Sequence, residues 1–282
     1  MISGAELRRQ AASLDVDPMV IDLDYGLGWF IAAFYAANER SDGLRFKGGT
    51  CLRKCYFGDY RFSEDLDFST EVRFDPDRLR RWIERAAVWS ADRGGPSYEA
   101  APFRVETLSN AYGEETYQIR VYYRGPLEYA GSPRAIRIDV TRNEALLMLA
   151  QTRDLIHPYS DSQDLLEVPG ITCYSLQEIL AEKLRAVGGQ RRFAVSRDLY
   201  DIYQLVQAGV DIKAVAPMLP AKFLARGLDL AAVSVSQIDA RQAEFERDWH
   251  RRLSYLVRGS VDFDDAWSTT LDALRQIETH RD

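Results

Sequence analysis

The residues best suited to chemistry are a glycine pair, Gly48-Gly49, and an Asp-Leu-Asp sequence whose carboxylates are Asp65 and Asp67. Glycine has no Cβ atom, so the backbone at such a pair can approach a ligand where a side chain would collide. If residues 64–69 form a strand, the two aspartates point to the same side of it, about 7 Å apart. Carboxylate oxygens are the ligands that hard divalent cations prefer, so this spacing predicts a metal site.

A second group of charged residues lies in the later part of the chain, where Lys183 and Arg185 interrupt the apolar helical pattern of residues 175–187. By themselves these two are most simply surface charges, and Asp198 most simply caps a helix. Considered together with the carboxylates of the first part, the group suits nucleotide chemistry, because cations hold a triphosphate and acids hold metal ions. The further basic residues of the group are Arg191, Arg192 and Arg197.

Sequence patterns predict the elements that position the first group. We expect strands at 44–47, 64–69, 102–108, 116–124 and 134–141, on apolar runs and on alternation of β-branched or aromatic residues with polar ones. Helices are expected from Ser3 to about Leu14, from Asp17 to about Glu39 and from Asp75 to about Arg93. This combination predicts an α/β or α+β half with a mixed or antiparallel sheet.

The pattern becomes helical after Pro169-Gly170. Helices are expected at 175–187, 196–208, 212–227, 236–256 and 262–279, and Gly188-Gly189 is expected to end the first of them. The change of pattern predicts two domains, 1–170 and 171–282.

Composition limits the classes of protein that the chain can belong to. The apolar fraction is 46%, the charged fraction is 28%, and the net charge is −7 with a pI near 5.2. An acidic chain has no global attraction for nucleic acid, so a polyanionic substrate would need a local basic patch and metal ions. The N-terminal sequence has no apolar signal core, and the most apolar stretch, Gly26 to Ala37, is shorter than the ~20 residues of a membrane helix. We therefore expect no membrane association and a cytoplasmic location.

The three cysteines do not predict a disulfide framework. Cys51 and Cys55 are one helical turn apart, without a matching pair of cysteines or histidines that would complete a zinc site. They are expected to be small buried or half-buried side chains in a reducing compartment.

Four separate sequence motifs, in one order, resemble the AbiEii/AbiGii family of nucleotidyltransferase toxins, to which the MenT toxins are related. They are KGGT at 47–50, RFSEDLD at 61–67, EILAEKL at 178–184 and RDLYD at 197–201. The resemblance extends to about residue 205, and the C-terminal helices are similar only loosely. It implies a polymerase-β-like nucleotidyltransferase fold with a mixed sheet and a helical C-terminal domain that completes the active site.

The resemblance also implies roles for residues of the first part. Asp65 and Asp67 would hold Mg²⁺, in a site for two metal ions, and Asp139 fits the third carboxylate of the superfamily. Asp139 alternates with Ile138 and Val140, so it could point away from those apolar side chains. The nucleoside triphosphate would lie against the motif residues Lys47, Gly48, Gly49 and Thr50.

In the helical part, the resemblance implies that Lys183 contacts phosphate and that Asp198 orients the basic cluster or the substrate. Arg185 and Arg197 are expected to take part in nucleotide binding. Ser63 lies two residues before Asp65 and on the same expected face, so it is a candidate nucleotide contact. A phosphate on Ser63 would place negative charge in the triphosphate pocket, and a purely structural hydroxyl is the alternative.

These roles lead to a functional hypothesis. The chain would be the toxin of a toxin–antitoxin system, acting in phage defence and opposed by a cognate antitoxin. It would transfer a nucleotide from an NTP to an acceptor hydroxyl, and the family makes the 3′ end of tRNA the expected acceptor. The alternatives are nucleotidylation of a protein or small molecule, and a protein that binds a nucleotide without catalysis and acts through a partner.

Overall fold

The computed structural model describes residues 1–38, 43–73, 75–98, 103–109, 115–127, 133–142, 144–253, 255–257 and 261–278. Its contacts divide the chain into two compact units. Unit 1 comprises Met1–Asn143 and Ala150–Cys173, and unit 2 comprises Glu144–Leu149 and Tyr174–Asp282.

Unit 1 contains a mixed sheet in the order β3-β4-β5-β2-β1-β7-β6. The pairs β2–β5 and β1–β7 are parallel, and the other neighbouring pairs are antiparallel. A mixed sheet in an α/β protein confirms the predicted fold class. The strands are β1 Leu44–Lys47, β2 Asp65–Thr70, β3 Arg104–Ser109, β4 Glu115–Tyr123, β5 Arg134–Arg142, β6 Gln151–Arg153 and β7 Ile171–Cys173.

The helices of unit 1 begin at the polar caps that the sequence indicates. The side chain of Ser3 accepts a hydrogen bond from the Glu6 N–H, and that of Asp17 accepts one from Met19, which satisfies N–H groups at the two helix starts. The helices are α1 Gly4–Leu14, α2 Pro18–Ala37, α3 Gly48–Cys51 and α4 Pro76–Asp92. A π-helical segment, Leu52–Tyr56, follows α3, and a short 3-10 turn spans Ser162–Leu165.

Helix α2 is buried on nearly every side within unit 1. Among the described residues it is the helix whose length and composition would allow it to cross a membrane, but 83% of its apolar window is buried inside the protein. Such burial is typical of the core helix of a globular protein.

An ion cluster inside unit 1 joins α2 to the segment after the glycine pair. Asp24 accepts hydrogen bonds from Arg53 Nε at 2.6 Å and from Lys54 Nζ at 2.7 Å. Asp24 and Lys54 are each 1% exposed. Burial by itself would raise the pKa of Asp24, but the two cations hold it well below its usual value. The position of the segment after α3 is therefore fixed by charge as well as by packing.

Unit 2 is helical in its described residues. Its helices are α5 Leu176–Arg185, α6 Ser196–Gln207, α7 Ile212–Val215, α8 Leu219–Leu224, α9 Val235–Asp239, α10 Gln242–Arg252 and α11 Phe263–Glu278. The helix predicted at 212–227 is interrupted by a 3-10 turn, Ala216–Met218, that contains Pro217. The glycine pair Gly188-Gly189 lies inside a π-helical segment, Ala186–Gln190, instead of ending α5.

Two short strands were missed by the sequence analysis. β6 and β7 have three residues each, too few to show an alternating pattern. Residues 102 and 279, at the ends of a predicted strand and a predicted helix, and the expected end of α2 at Glu39 lie outside the described residues.

Candidate active site

Three neighbouring strands bring the predicted catalytic residues of unit 1 into one row. Asp67 of β2 is the register partner of Lys47 on β1 and of Asp139 on β5. Register partners in a sheet point to the same face, so these three side chains lie side by side. The opposite face of the same strands carries the buried residues Leu66, Phe68, Ile138 and Val140. One face of the sheet thus forms core, and the other presents charged groups.

Asp65 adds a second carboxylate on β2, two residues before Asp67 and on the same face. Burial makes the largest contribution to the raised pKa of Asp139, and the negative charge of Asp65 makes the second largest. Arg137, a hydrogen bond from Gln118, and Lys47 act in the opposite direction on Asp139. Asp65 and Asp139 are therefore close enough to repel each other.

The glycine pair fits closely against these acids. Gly48 has φ +80°, and a Cβ atom at this position would lie 2.6 Å from Oδ2 of Asp67. A Cβ atom on Gly49 would collide with the guanidinium of Arg61, which is 3% exposed. Glycine is required at Gly48 for both backbone conformation and space.

Thr50 contacts the strand that carries the acids, and Ser63 precedes that strand. The Thr50 hydroxyl donates a hydrogen bond of 2.5 Å to the backbone oxygen of Asp65, and thus fixes α3 against β2. Ser63 is buried, with 5% of its surface exposed. The predicted residues Lys47, Gly48, Gly49, Thr50, Asp65, Asp67 and Asp139 are thus brought together in unit 1, with Ser63 two residues before the first of the acids.

The donor set suits a hard divalent cation. Asp65, Asp67 and Asp139 are half-buried carboxylates on one face of adjacent strands, where burial and the charge of Asp65 raise the pKa of Asp139. Oxygen donors of this kind fit Mg²⁺ or Mn²⁺ and do not suit a soft ion.

The predicted residues of the later part form a separate ion cluster in unit 2. Lys183 Nζ lies 2.7 Å from Oδ1 of Asp198 and 2.7 Å from Oδ2 of Asp201. Both carboxylates are buried, and Arg191 Nε lies 3.1 Å from Oδ2 of Asp198. Burial would raise the pKa of Asp198, but Lys183 and Arg191 lower it overall. Asp201, which the sequence analysis assigned no role of its own, is thus a member of the cluster.

Two further predicted residues differ in exposure. Arg185 is buried and lies 2.9 Å from Glu182 Oε2, whereas Arg197 is half-buried and lines a cavity of about 570 Å³ in unit 2. Four arginines and two carboxylates line this cavity, and Phe193 beside them is 78% exposed. Arg247, Arg251 and Arg252 of α10 were not identified from the sequence, because they are distant from the motifs along the chain.

The site residues that the sequence analysis missed in unit 1 are Arg61, Gln118 and Arg137. Arg61 is the first residue of the RFSEDLD motif and could have been identified from that motif. Gln118 and Arg137 depend on strand register, which one sequence does not show.

Comparison with known proteins agrees with this geometry. Residues 29–272 match the family described as "Nucleotidyl transferase AbiEii toxin, Type IV TA system". No curated protein matches the sequence.

Three solved structures are similar to the chain. MenT4, a nucleotidyltransferase toxin from Mycobacterium tuberculosis H37Rv, aligns with a TM-score of 0.70 and 23% identity, over 100% of this chain and 91% of that one. An antigenic nucleotidyltransferase-like protein from Paracoccidioides brasiliensis aligns with a TM-score of 0.37 and 16% identity, over 85% and 95% of the two chains. The antibiotic-resistance factor ANT(2'')-Ia aligns with a TM-score of 0.37 and 15% identity, over 81% and 100%.

Of these three, the alignment with MenT4 supports a shared fold, that of a nucleotidyltransferase-like toxin. The family model extends over most of both units. The chain is therefore a nucleotidyltransferase and belongs to the AbiEii toxin family of type IV toxin–antitoxin systems.

Proposed function

We propose that this toxin transfers a nucleotide from an NTP to the 3′-terminal hydroxyl of tRNA, with Mg²⁺ held by Asp65, Asp67 and Asp139. The observation that carries the proposal is the register of β2 and β5, which places Asp67 opposite Asp139 with Asp65 on the same face. NTP and tRNA as substrates imply a cytoplasmic reaction, and the family implies a cognate antitoxin.

The reaction requires alignment and charge neutralisation more than covalent chemistry from the protein. The oxygen of the acceptor hydroxyl forms a bond to the α-phosphorus, the bond from that phosphorus to the bridging oxygen breaks, and pyrophosphate leaves. Bound divalent ions would neutralise phosphate charge and favour the deprotonated hydroxyl.

The chain's own residues would bind and orient the substrates. The backbone at Gly48 and Gly49 has no Cβ atom between it and a triphosphate, and Lys47 adds positive charge in the same row as Asp67. Asp139, on the same face as Asp65 and Asp67, would accept the proton of the acceptor hydroxyl. Ser63, which is buried and lies two residues before Asp65, is a candidate nucleotide contact.

The arginine-lined cavity of unit 2 supports a nucleic-acid acceptor. Arg197, Arg247, Arg251 and Arg252 outnumber the two carboxylates in its lining, and an exposed aromatic ring, Phe193, lies beside them. Guanidinium groups bind phosphodiesters, and an aromatic face stacks on an unpaired base. A local basic patch of this kind is what an acidic protein needs in order to bind RNA.

The test uses purified protein, Mg²⁺, each α-labelled NTP in turn, and total RNA. Label in the tRNA fraction, removed by 3′-end trimming and absent with Asp67→Asn, is the expected result. Label in protein or in a small molecule, with none in RNA, would overturn the tRNA acceptor while leaving the nucleotidyltransferase intact.

A further inference from the structure

The three cysteines of the chain converge inside unit 1, although they are far apart in sequence. Their Sγ atoms all lie within 4.8 Å of one another, and all three side chains are buried. Cys51 ends α3, and Cys55 lies one turn further on. Cys173 ends β7, where it pairs with Phe46 of β1. The third sulfur therefore comes from a strand that sequence spacing did not reveal.

We propose that Cys51, Cys55 and Cys173 form a three-thiolate site for a thiophilic d¹⁰ cation, a class whose biological members are Cu(I) and Zn(II). A metal–sulfur bond of about 2.3 Å places three sulfurs around one ion at roughly 4 Å from one another. The observed separations need only small side-chain adjustments to reach that arrangement. Sulfur ligands select ions of this class over Mg²⁺ or Ca²⁺.

Hydrogen bonds among the three cysteines accompany their convergence. Hydrogen bonds from Cys51 and Cys55 outweigh burial and lower the pKa of Cys173 to about 4, with smaller contributions from Tyr56 and Arg153. Burial raises the pKa of Cys51, and the hydrogen bond with Cys173 raises that of Cys55. Thiolates are the form of cysteine that binds metal ions, so binding by all three side chains releases their thiol protons to solvent.

Tyr56 lies next to the cysteine cluster, and we expect it to bind Zn(II) but not Cu(I). Its hydroxyl oxygen is 3.6 Å from Sγ of Cys173, and its half-buried ring is covered by the exposed Arg153, with the guanidinium carbon 4.7 Å from the ring centre. Cu(I) can bind three sulfurs alone, whereas Zn(II) takes four ligands. The backbone oxygen of Gln151, 3.5 Å from Sγ of Cys173, is held in β6, whereas the Tyr56 side chain can rotate towards an ion, so we assign the fourth position to the Tyr56 oxygen. Rotation of Tyr56 and Arg153 would also give an ion access to the sulfurs.

A bound ion would tie the nucleotide-binding turn to the sheet. Cys51 directly follows Thr50, and Cys173 is paired with the residue before Lys47. Metal–sulfur bonds at these positions would join α3 to β7. Binding is therefore expected to raise the melting temperature of the protein, whether or not the transferase reaction is being assayed.

The experiment uses reduced, full-length protein under anaerobic conditions. One portion receives Cu(I) buffered by a chelator of known affinity, and another receives buffered Zn(II). The measurements are metal per chain after desalting and the melting temperature. Wild-type protein is expected to retain one ion per chain and melt at higher temperature, and Cys51→Ser and Cys173→Ser are expected to bind at least 100-fold more weakly. Tyr56→Phe separates the ions, since it weakens Zn(II) binding and leaves Cu(I) binding unchanged.

The serine variants change buried positions, so a second measurement on the wild type guards against a folding defect. X-ray absorption of the loaded wild-type protein should show a first shell of three sulfurs, with one added oxygen in the Zn(II) form. A first shell of nitrogen and oxygen would overturn the proposal. So would failure of the wild type to retain either ion, or equal retention by folded Cys51→Ser and Cys173→Ser.

Discussion

Asp67 lies directly opposite Asp139 in the parallel pairing of β2 and β5, although 72 positions of sequence numbering separate them. Both side chains point away from the apolar core of unit 1, on the face that also carries Asp65. A pair of like charges held in register on adjacent strands costs stability unless a cation lies between them. The proposed catalytic role would account for this cost, because strain of this kind is retained at functional sites.

Replacing Asp65 or Asp67 by asparagine should reduce nucleotide transfer by about 100-fold or more, because each change removes a negatively charged ligand of the proposed Mg²⁺ site. Both side chains are half-buried and face away from the core, so the fold should remain nearly intact. Steady-state transfer assays with circular dichroism would measure both effects. Asp154→Asn, an exposed carboxylate of the same unit, is the matched control and should keep full activity.

Gly48→Ala should abolish transfer and also destabilise the protein. Its φ of +80° costs an alanine about 1–2 kcal/mol, and the new Cβ atom would displace the Asp67 carboxylate. Gly94→Ala is a matched control, because Gly94 also has positive φ, +65°, but nothing lies within 4 Å of its added Cβ atom. Denaturant unfolding should show a loss for both variants, and transfer assays should show a loss for Gly48→Ala alone. Equal activity of the two variants would contradict the assigned contact.

Asp24→Asn should lower the free energy of unfolding by about 3–5 kcal/mol, since it leaves the buried Lys54 without its negatively charged partner. Arg53 is the second partner of Asp24. Urea titration at neutral pH would measure this loss. Asp77→Asn, at an exposed ion pair on α4, should change stability by less than about 1 kcal/mol.

The same aspartate should also make the protein sensitive to acid. The pKa of Asp24 is lower in the folded protein than in the unfolded chain, so the unfolded chain takes up the proton first as the pH falls. The stability that Asp24 contributes is fully present above about pH 4 and is lost progressively below it. Stability measured against pH should therefore fall less steeply in Asp24→Asn than in the wild type below pH 4.

Arg247→Gln with Arg251→Gln should weaken RNA binding and reduce its dependence on salt. Each arginine that neutralises a phosphate of single-stranded RNA contributes about 0.7 to the slope of log affinity against log salt concentration. Fluorescence anisotropy with a 5′-labelled tRNA at several salt concentrations would give that slope. Arg275→Gln, which removes an exposed arginine of the same unit outside the cavity, should leave the slope unchanged.

Lys183→Met should destabilise unit 2 by about 3–5 kcal/mol, because Asp198 and Asp201 would remain buried without this cation. If Lys183 also contacts phosphate, as we propose from its family motif, KM for NTP should rise in the folded variant. Lys213→Met, at an exposed lysine of the same unit, should change neither quantity. A large stability loss with unchanged KM would assign Lys183 to structure alone.

Much of the fold follows from local patterns. The bounds of β1 at 44–47 are as predicted, and the caps at Ser3 and Asp17 follow from residue type alone. The Asp-Leu-Asp sequence lies in a strand as expected, because its alternation with apolar residues is local. The fold class and the enzyme class are confirmed, whereas the catalytic roles of the individual residues stay predictions.

What the sequence could not provide depends on contacts between distant segments. The β2–β5 register, which aligns Asp139, and the convergence of Cys173 on Cys51 are properties of the folded chain. The ion pair of Asp201 with Lys183 also depends on the folded chain, and so does that of Lys222 with Glu178. Each of these pairs joins two separate helices. A charged residue in a helical pattern gives no sign of whether it will face solvent or a buried partner of opposite charge.

The two units interleave along the sequence, which limits how each of them can be expressed separately. Glu144–Leu149 belongs to unit 2, and Ala150–Cys173 returns to unit 1, so the backbone passes between the units three times. A fragment that ends at residue 143 lacks β6 and β7, including the strand that pairs with β1 beside Lys47. A fragment that ends at residue 173 contains all of unit 1, but it also carries residues 144–149, and the remainder of the chain then lacks that segment of unit 2. Unit 1 is therefore best expressed as residues 1–173 with 144–149 replaced by a polar linker.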